Sequence, residues 1–282
     1  MRWMMVTRVF VCIIFIVLGV AATAAAELDL DQEVLIIPDT HNEKPYIRHV
    51  RRNPRGYELA LSDSPLKAGE EQPYIFRILS PSGMPEGDVH VFITDDDLHA
   101  YVHRKASRKG DEYSFTYRPP GAGKYRMEIV FQTAQGWVNL WKNIKISGPA
   151  AAGAEDKLPG DEDYQAKIKL IPKKAYAEHV VTFLYEILYK GKPLKGLEKM
   201  DGFDMLVASW DEDLKEFLYI TPKQNLGGPE VAVSIVFMRP GKHAVFAEFK
   251  HNGVIRRIDT VVFVNEEPRS DPGAIENMGP GY

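Results

Sequence analysis

RPPGAGKYRMEIVF (118–131) returns in shortened form as RPGKHAVFAEF (239–249). Each copy opens on an Arg-Pro turn with a glycine and runs into an apolar segment that ends on Phe131 or Phe249. The alternation in Tyr125-Arg126-Met127-Glu128-Ile129 is that of a strand with one buried face. Outward from this pair the match continues. ITDDDLHAYVH (93–103) is echoed by SWDEDLKEFLY (209–219), and GYELALSDSPLKAGEEQPYIFRILSPSGMPEG (56–87) by QAKIKLIPKKAYAEHVVTFLYEILYKGKPLKG (165–196). Three blocks in the same order, offset by roughly 110–118 residues, read as a tandem duplication of one β-rich unit.

Short alternating segments recur through both units, as in Tyr57 to Leu61, Val89 to Ile93, Ala166 to Leu170, Val180 to Leu188 and Met205 to Trp210. Turn signals separate them: Pro81-Ser82-Gly83, Asp95-Asp96-Asp97, Gly191-Lys192-Pro193, Gly227-Gly228-Pro229 and Asn252-Gly253. No long 3.6-residue apolar period appears outside the first 26 residues. The fold class expected is all-β: two tandem immunoglobulin-like β-sandwich domains after an N-terminal signal peptide.

The domain organisation follows. Residues 1–26 read as a signal peptide: Arg2 and Arg8, an apolar run from Val9 to Val20, then Ala24-Ala25-Ala26. The run is short for a spanning helix, which needs about 20 residues. The alternative is an anchor that stays uncleaved. Residues 27–56 form an N-terminal extension with one apolar patch, Val34 to Ile37, expected to add an edge strand. Its basic stretch, Lys44 to Arg55, reads as a solvated loop, with an acidic partner or lipid headgroups as the alternative use. Domain 1 spans 57–147. The Gly-, Pro-, Ala- and acid-rich residues 148–163 form a linker, domain 2 spans 164–267, and 268–282 is a flexible tail.

Cleavage after Ala26 removes the only cysteine, Cys12, and with it any disulfide or thiolate ligand. It also leaves 33 basic against 39 acidic residues. That balance gives no basic footprint for a nucleic-acid partner. The expected location is periplasmic or secreted, with no membrane span after cleavage. Enzyme signatures are missing: no HExxH, no GxSxG, no P-loop, and no GxGxxG after a strand. The acidic tips Asp95-Asp96-Asp97 and Asp211-Glu212-Asp213 read as turn caps.

Chemistry concentrates beside the first of these tips. If Asp95 to Asp97 turns a hairpin, parity puts Val89, Val91, Ile93, Leu98, Ala100 and Val102 on a core face. His90, Phe92, His99, Tyr101 and His103 then share the opposite face, with His90 across from Tyr101. Three imidazoles on one face are a donor set for copper, zinc or nickel; Met84 and Met127 would add thioether for Cu(I). The bland alternative is a half-exposed polar face. The second unit has Leu206, Lys215 and Tyr219 where the first has His90, His99 and His103. Trp137, Trp141 and Trp210 read as sandwich-core residues, or as a platform for sugar or peptide.

HVFITDDDLHAYVHRK followed by PGAGKYRMEIVF resembles the small secreted β-sandwich domains of the YtkA-like type and related copper-associated periplasmic proteins. His90 matches the first histidine of their pattern and His103 the first of its HxH pair; Lys105 stands at the second. The resemblance implies an exported immunoglobulin-like domain linked to metal or envelope biology.

The function expected is an exported, non-catalytic binding or structural module of the cell envelope that engages a protein partner. The alternative is a periplasmic metal-binding protein, copper first, using His90 and His103 with His99 in support.

Overall fold

The computed structural model describes residues 32–38, 45–62, 66–80, 84–149 and 161–266. The expected signal peptide, the tail 268–282 and linker residues 150–160 lie outside them. Apart from one 3₁₀ turn, Asp161–Asp163, all regular structure among the described residues is strand.

Nine strands come from the first half: β1 (Gln32–Pro38), β2 (Pro45–Arg52), β3 (Glu58–Leu61), β4 (Gln72–Leu79), β5 (Glu86–Asp95), β6 (Tyr101–Lys109), β7 (Glu112–Tyr117), β8 (Gly123–Thr133) and β9 (Gly136–Ile146). They hydrogen-bond in the order β1-β2-β9-β8-β5-β6-β7-β4-β3. β6 joins the two layers: Tyr101 to Ala106 pair with β5, and Ser107 to Lys109 with β7. The expected solvated loop at 44–55 is a strand over Pro45–Arg52. Its end pairs in parallel with β9, and β1 pairs antiparallel with it outside. The β-favouring residues Tyr46, Ile47 and Val50 among the charged ones suit a strand as well as a loop, so charge alone misassigned the segment.

The second half supplies β10 (Tyr164–Ile171), β11 (Ala175–Tyr176), β12 (Val180–Tyr189), β13 (Lys192–Pro193), β14 (Met205–Asp211), β15 (Phe217–Ile220), β16 (Glu230–Val236), β17 (Gly241–His251) and β18 (Val254–Asn265). β10, β16 and β13 flank β12 in one sheet; the other runs β11-β18-β17-β14-β15. β12 shows why these segments are strands. It is rich in Val, Phe, Tyr and Ile, and its burial alternates along the chain.

Each half buries its own core. Phe76, Tyr113, Met127, Ile129 and Phe131 fill the first; Phe183, Tyr185, Phe237 and Phe249 fill the second. Removing such a side chain from water contributes roughly 1.5–3 kcal/mol. The fold is an immunoglobulin-like β-sandwich architecture, all-β throughout.

The sequence echo extends to single hydrogen bonds. Asp95 Oδ1 accepts from the amides of His99 and Ala100 at 2.7 and 2.9 Å; Asp211 Oδ1 accepts from Lys215 and Glu216 at 2.6 and 2.8 Å. Leu98 and Leu214 both sit at positive φ, +59° and +56°. Tyr125 donates its hydroxyl to the carbonyl of Gly121, four residues back, at 2.9 Å. At the equivalent place His243 Nε2 donates to the carbonyl of Arg239, also four back and at 2.9 Å. The first is the tyrosine corner of immunoglobulin-like sandwiches; in the second a histidine does the same work.

These loops overturn the expected hairpin register. Residues 96–100 form a five-residue connection closed by the Asp95 carboxylate, in place of a tight turn at 95–97. His90 therefore pairs with Lys105, Phe92 with His103, and Thr94 with Tyr101. Leu98, expected on the core face, packs on the opposite side.

Candidate functional site

Parity along β5, β6, β8 and β9 sends a mixed set of side chains away from the first core. His90, Phe92 and Thr94 come from β5; Tyr101, His103 and Lys105 from β6; Arg126, Glu128 and Val130 from β8; Asn139 and Trp141 from β9. Read alone, this is a solvated sheet face. In the structure His90 is 4% exposed and Glu128 0%. The face is covered by the matching face of the second half: Leu206, Ala208 and Trp210 on β14, Phe217 and Tyr219 on β15, and Ala244, Phe246 and Glu248 on β17.

The middle of this contact is apolar, a third core between the halves. Phe92 meets Phe217 and Tyr219 with ring centroids at 5.4 and 5.1 Å. Tyr101 stacks on Phe246 at 4.5 Å and meets Trp210 edge-on at 6.0 Å. Such offset and edge geometries add to the burial of large rings. Trp210 belongs here and to neither sandwich interior; Trp137 packs at its border.

One end of the contact is a chain of polar groups. His103 Nδ1 donates to Glu248 Oε2 at 2.6 Å, a bond between the two halves. With that proton placed, His103 Nε2 is left as acceptor, and His90 Nδ1 donates to it at 3.0 Å. His90 Nε2 lies 4.0 Å from Asp201 Oδ2. Asp201 in turn binds Lys105, whose ammonium also reaches Asp88 at 2.8 Å. Burial, reinforced by the neighbouring His103, holds the His90 pKa down at about 4, despite the pull of Asp201. His90 is thus neutral at ordinary pH.

The other end is built on a buried carboxylate. Glu128 accepts from Asn139 Nδ2 at 3.1 Å and lies 3.5 Å from Arg52 Nη2 and 3.7 Å from Arg126 Nη1. Arg126 lies over Trp141, 3.9 Å from the ring centroid. Its pKa is lowered by burial and supported by Glu128. Arg52 Nη1 crosses to the carbonyl of Lys215 in the second half. Arg52 closes β2, so the extension's last strand residue takes part in joining the halves.

The structure thus brings His90 and His103 together and sets His99 apart. His99 is exposed, with its amide on Asp95. Met127 lies in the first core, on the far side of β8 from His90, and Met84 is exposed. No three His, Cys, Asp or Glu side chains converge as a metal-binding group among the described residues. Sequence reading missed Glu248, Asp201 and Glu128, and took Arg52 only as part of a basic stretch. Glu248 did leave a signal: it is a lone acid inside the apolar run AVFAEF, where the first unit has Val130.

Comparison with known proteins adds the following. Residues 161–266 match the model of a domain of unknown function, DUF8832. No curated protein matches. Among solved structures, a mutant of Salmonella alpha-2-macroglobulin aligns at 14% identity over 74% of this chain and 15% of its own, with a TM-score of 0.26. A tandem pair of titin immunoglobulin domains aligns at 11% identity over 75% of this chain and 96% of its own, TM-score 0.23. The D0–D1 domain of intimin aligns at 12% over 73% and 98%, TM-score 0.23. The chain spans about 15% of the macroglobulin's length.

Proposed function

We propose that this chain is an exported, non-catalytic module of the cell envelope: two immunoglobulin-like sandwiches, derived by tandem duplication, locked into one stiff body that engages a protein partner. The observation that carries the reading is the third core. The aromatic and histidine residues that looked like a site are used to fix one sandwich on the other. A stiff two-sandwich body suits the presentation of a surface, and β18 offers one, with Val261 and Phe263 among its exposed residues. The test is a photo-crosslinking side chain at position 261 or 263 of the full chain, in the cells that make it. A discrete crosslinked protein from the envelope fraction is expected. No adduct, or adducts only with cytosolic proteins, contradicts the reading.

A metal-binding role is the second reading, favoured by the His90–His103 pair. Glu248 behind His103 is the carboxylate–histidine arrangement that orients ring nitrogens at metal sites. His90 Nδ1 and His103 Nε2 would be the two nitrogen donors, with copper the first metal to try. Titration with copper and with zinc, followed by calorimetry, should give heat that His90→Ala/His103→Ala abolishes. Equal heat from that double variant excludes the pair.

A further inference from the structure

β18 is the outermost long strand of its sheet. One edge is paired with β17 along its length, from Gly241↔Val264 to His251↔Val254. On the other edge β11 takes only Val264 and Asn265. From Val254 to Phe263 no strand among the described residues occupies that outer edge.

The parity of the open edge can be worked out. β17 and β18 are joined by Asn252-Gly253, both at positive φ, +52° and +76°. That is the type I′ turn of a two-residue hairpin, which makes His251 and Val254 a hydrogen-bonded pair. Pairs alternate along an antiparallel ladder. Even-numbered residues of β18 therefore bond to β17, and Ile255, Arg257, Asp259, Val261 and Phe263 aim their N–H and C=O groups outward. Asn265, of the same parity, does so: its carbonyl accepts from the amide of Ala177 at 2.9 Å.

The side chains of these same residues form one face. Ile255 is 47% exposed, Val261 61% and Phe263 67%, with the ion pair Arg257–Asp259 between them at 2.6 Å. The face continues the one that forms the third core, since Val261 stands beside Ala244 and Asp259 beside Phe246. Exposed edges of this kind are templates for strand addition.

We propose that this edge is a self-association site, at which a second copy of the chain adds its own β18, antiparallel, about a two-fold axis at Ile258. The proposal rests on the partner reading above and names the partner. An axis at Ile258 sets Val254–Val262 of one copy against the same segment of the other, within the stretch that β11 leaves open. Odd residues then face odd residues, so every outward donor meets an acceptor. Arg257 of each copy faces Asp259 of the other, and Ile255 faces Val261. Moving the axis to Asp259 or Arg257 keeps the parity but sets like charges opposite each other, which destabilises a pair. Of the registers that parity allows, only the axis at Ile258 sets Arg257 opposite Asp259, and the contact closes on itself as a dimer.

The test is sedimentation velocity on the chain from residue 27 to 282 over a wide dilution series. A monomer–dimer equilibrium is expected. Asp259→Arg places two arginine pairs across the axis and should weaken association about tenfold or more. Arg257→Asp should do the same, and an equimolar mixture of the two should recover wild-type association. Arg257 also donates to the carbonyl of Tyr101, so Val261→Lys, at an exposed position clear of that contact, serves as the independent variant and should also weaken association. A wild-type chain that stays monomeric throughout overturns the proposal, as does undiminished dimerisation by Asp259→Arg and Val261→Lys. A monomeric chain that still captures another envelope protein at position 261 overturns self-association alone and leaves the partner reading standing.

Discussion

The outward faces of β5–β6–β8 and of β14–β15–β17 occupy equivalent places in the two halves and have opposite chemistry. The first carries His90, His103, Arg126 and Glu128; the second carries Leu206, Tyr219, Ala244 and Phe246 at the matching positions. Glu248 alone reverses the trend, standing where the first half has Val130. The backbones of the two faces match, and the side chains of each suit the other. An apolar face by itself would be an aggregation hazard. A face of buried charges by itself would be costly. Packed together, the rings are dried and the charges find partners across the contact.

The largest effect should come from breaking the apolar side. Trp210→Ala should cost about 3–5 kcal/mol, the range for deleting a large buried ring. Urea unfolding should then split into two transitions, because the halves lose their common core. A single transition with unchanged midpoint would mean that Trp210 joins nothing.

Acid probes the polar side. His90 is neutral when folded, with a pKa near 4, and takes a proton near 6.5 when unfolded. Below that unfolded value the unfolded chain binds more protons, so stability falls as pH drops from about 6.5 towards 4. The loss should reach about 3 kcal/mol at the low end. Above pH 6.5 this contribution is fully present. His90→Leu should flatten the profile in chemical denaturation; a wild-type profile that is already flat contradicts the burial argument.

Removing the bond between the halves sharpens the picture further. His103→Leu takes from the buried Glu248 carboxylate its 2.6 Å donor, leaving it the Tyr101 hydroxyl, and should cost about 2–3 kcal/mol. Adding Glu248→Leu should recover part of that cost, since a buried carboxylate short of a partner is worse than none. Full additivity of the two losses would show that they do not interact.

The smallest effect compares the paired loops. Asp95→Ala and Asp211→Ala each remove an acceptor of two backbone amides and should cost about 1–2 kcal/mol. Asp211 also holds Arg239 at 3.0 Å, so its loss should be the greater. Equal values, measured by thermal melting, would mean that Arg239 adds nothing.

Much of this fold was legible in the sequence, because period-two alternation and turn residues act locally. The matched blocks at 93–103 and 209–219 carry the same Asp-closed loop, and strands lie where alternation marks 57–61, 89–93, 166–170, 180–188 and 205–210. The register of β5 on β6 was not legible. A triple-Asp tip reads as a tight turn, whereas Asp95 closes a wider loop by reaching forward four and five residues. The fate of His90, His103 and Glu128 was hidden for a different reason. The two histidines meet Tyr219 and Glu248 from the other half of the chain. Glu128 is buried beneath that half, while its own partners are Asn139, Arg52 and Arg126. Nothing local distinguishes a polar face that meets water from one that meets another sheet. Arg52, whose guanidinium reaches the Lys215 carbonyl in the second half, was misread in the same way.

The central claim is that the third core makes the two halves one body. ¹⁵N relaxation of backbone amides tests it most directly, on the chain from residue 27 to 282. Amides of 57–146 and of 164–264 should report a single rotational correlation time, that of the whole particle. Two different and shorter times, one for each half, would contradict the account.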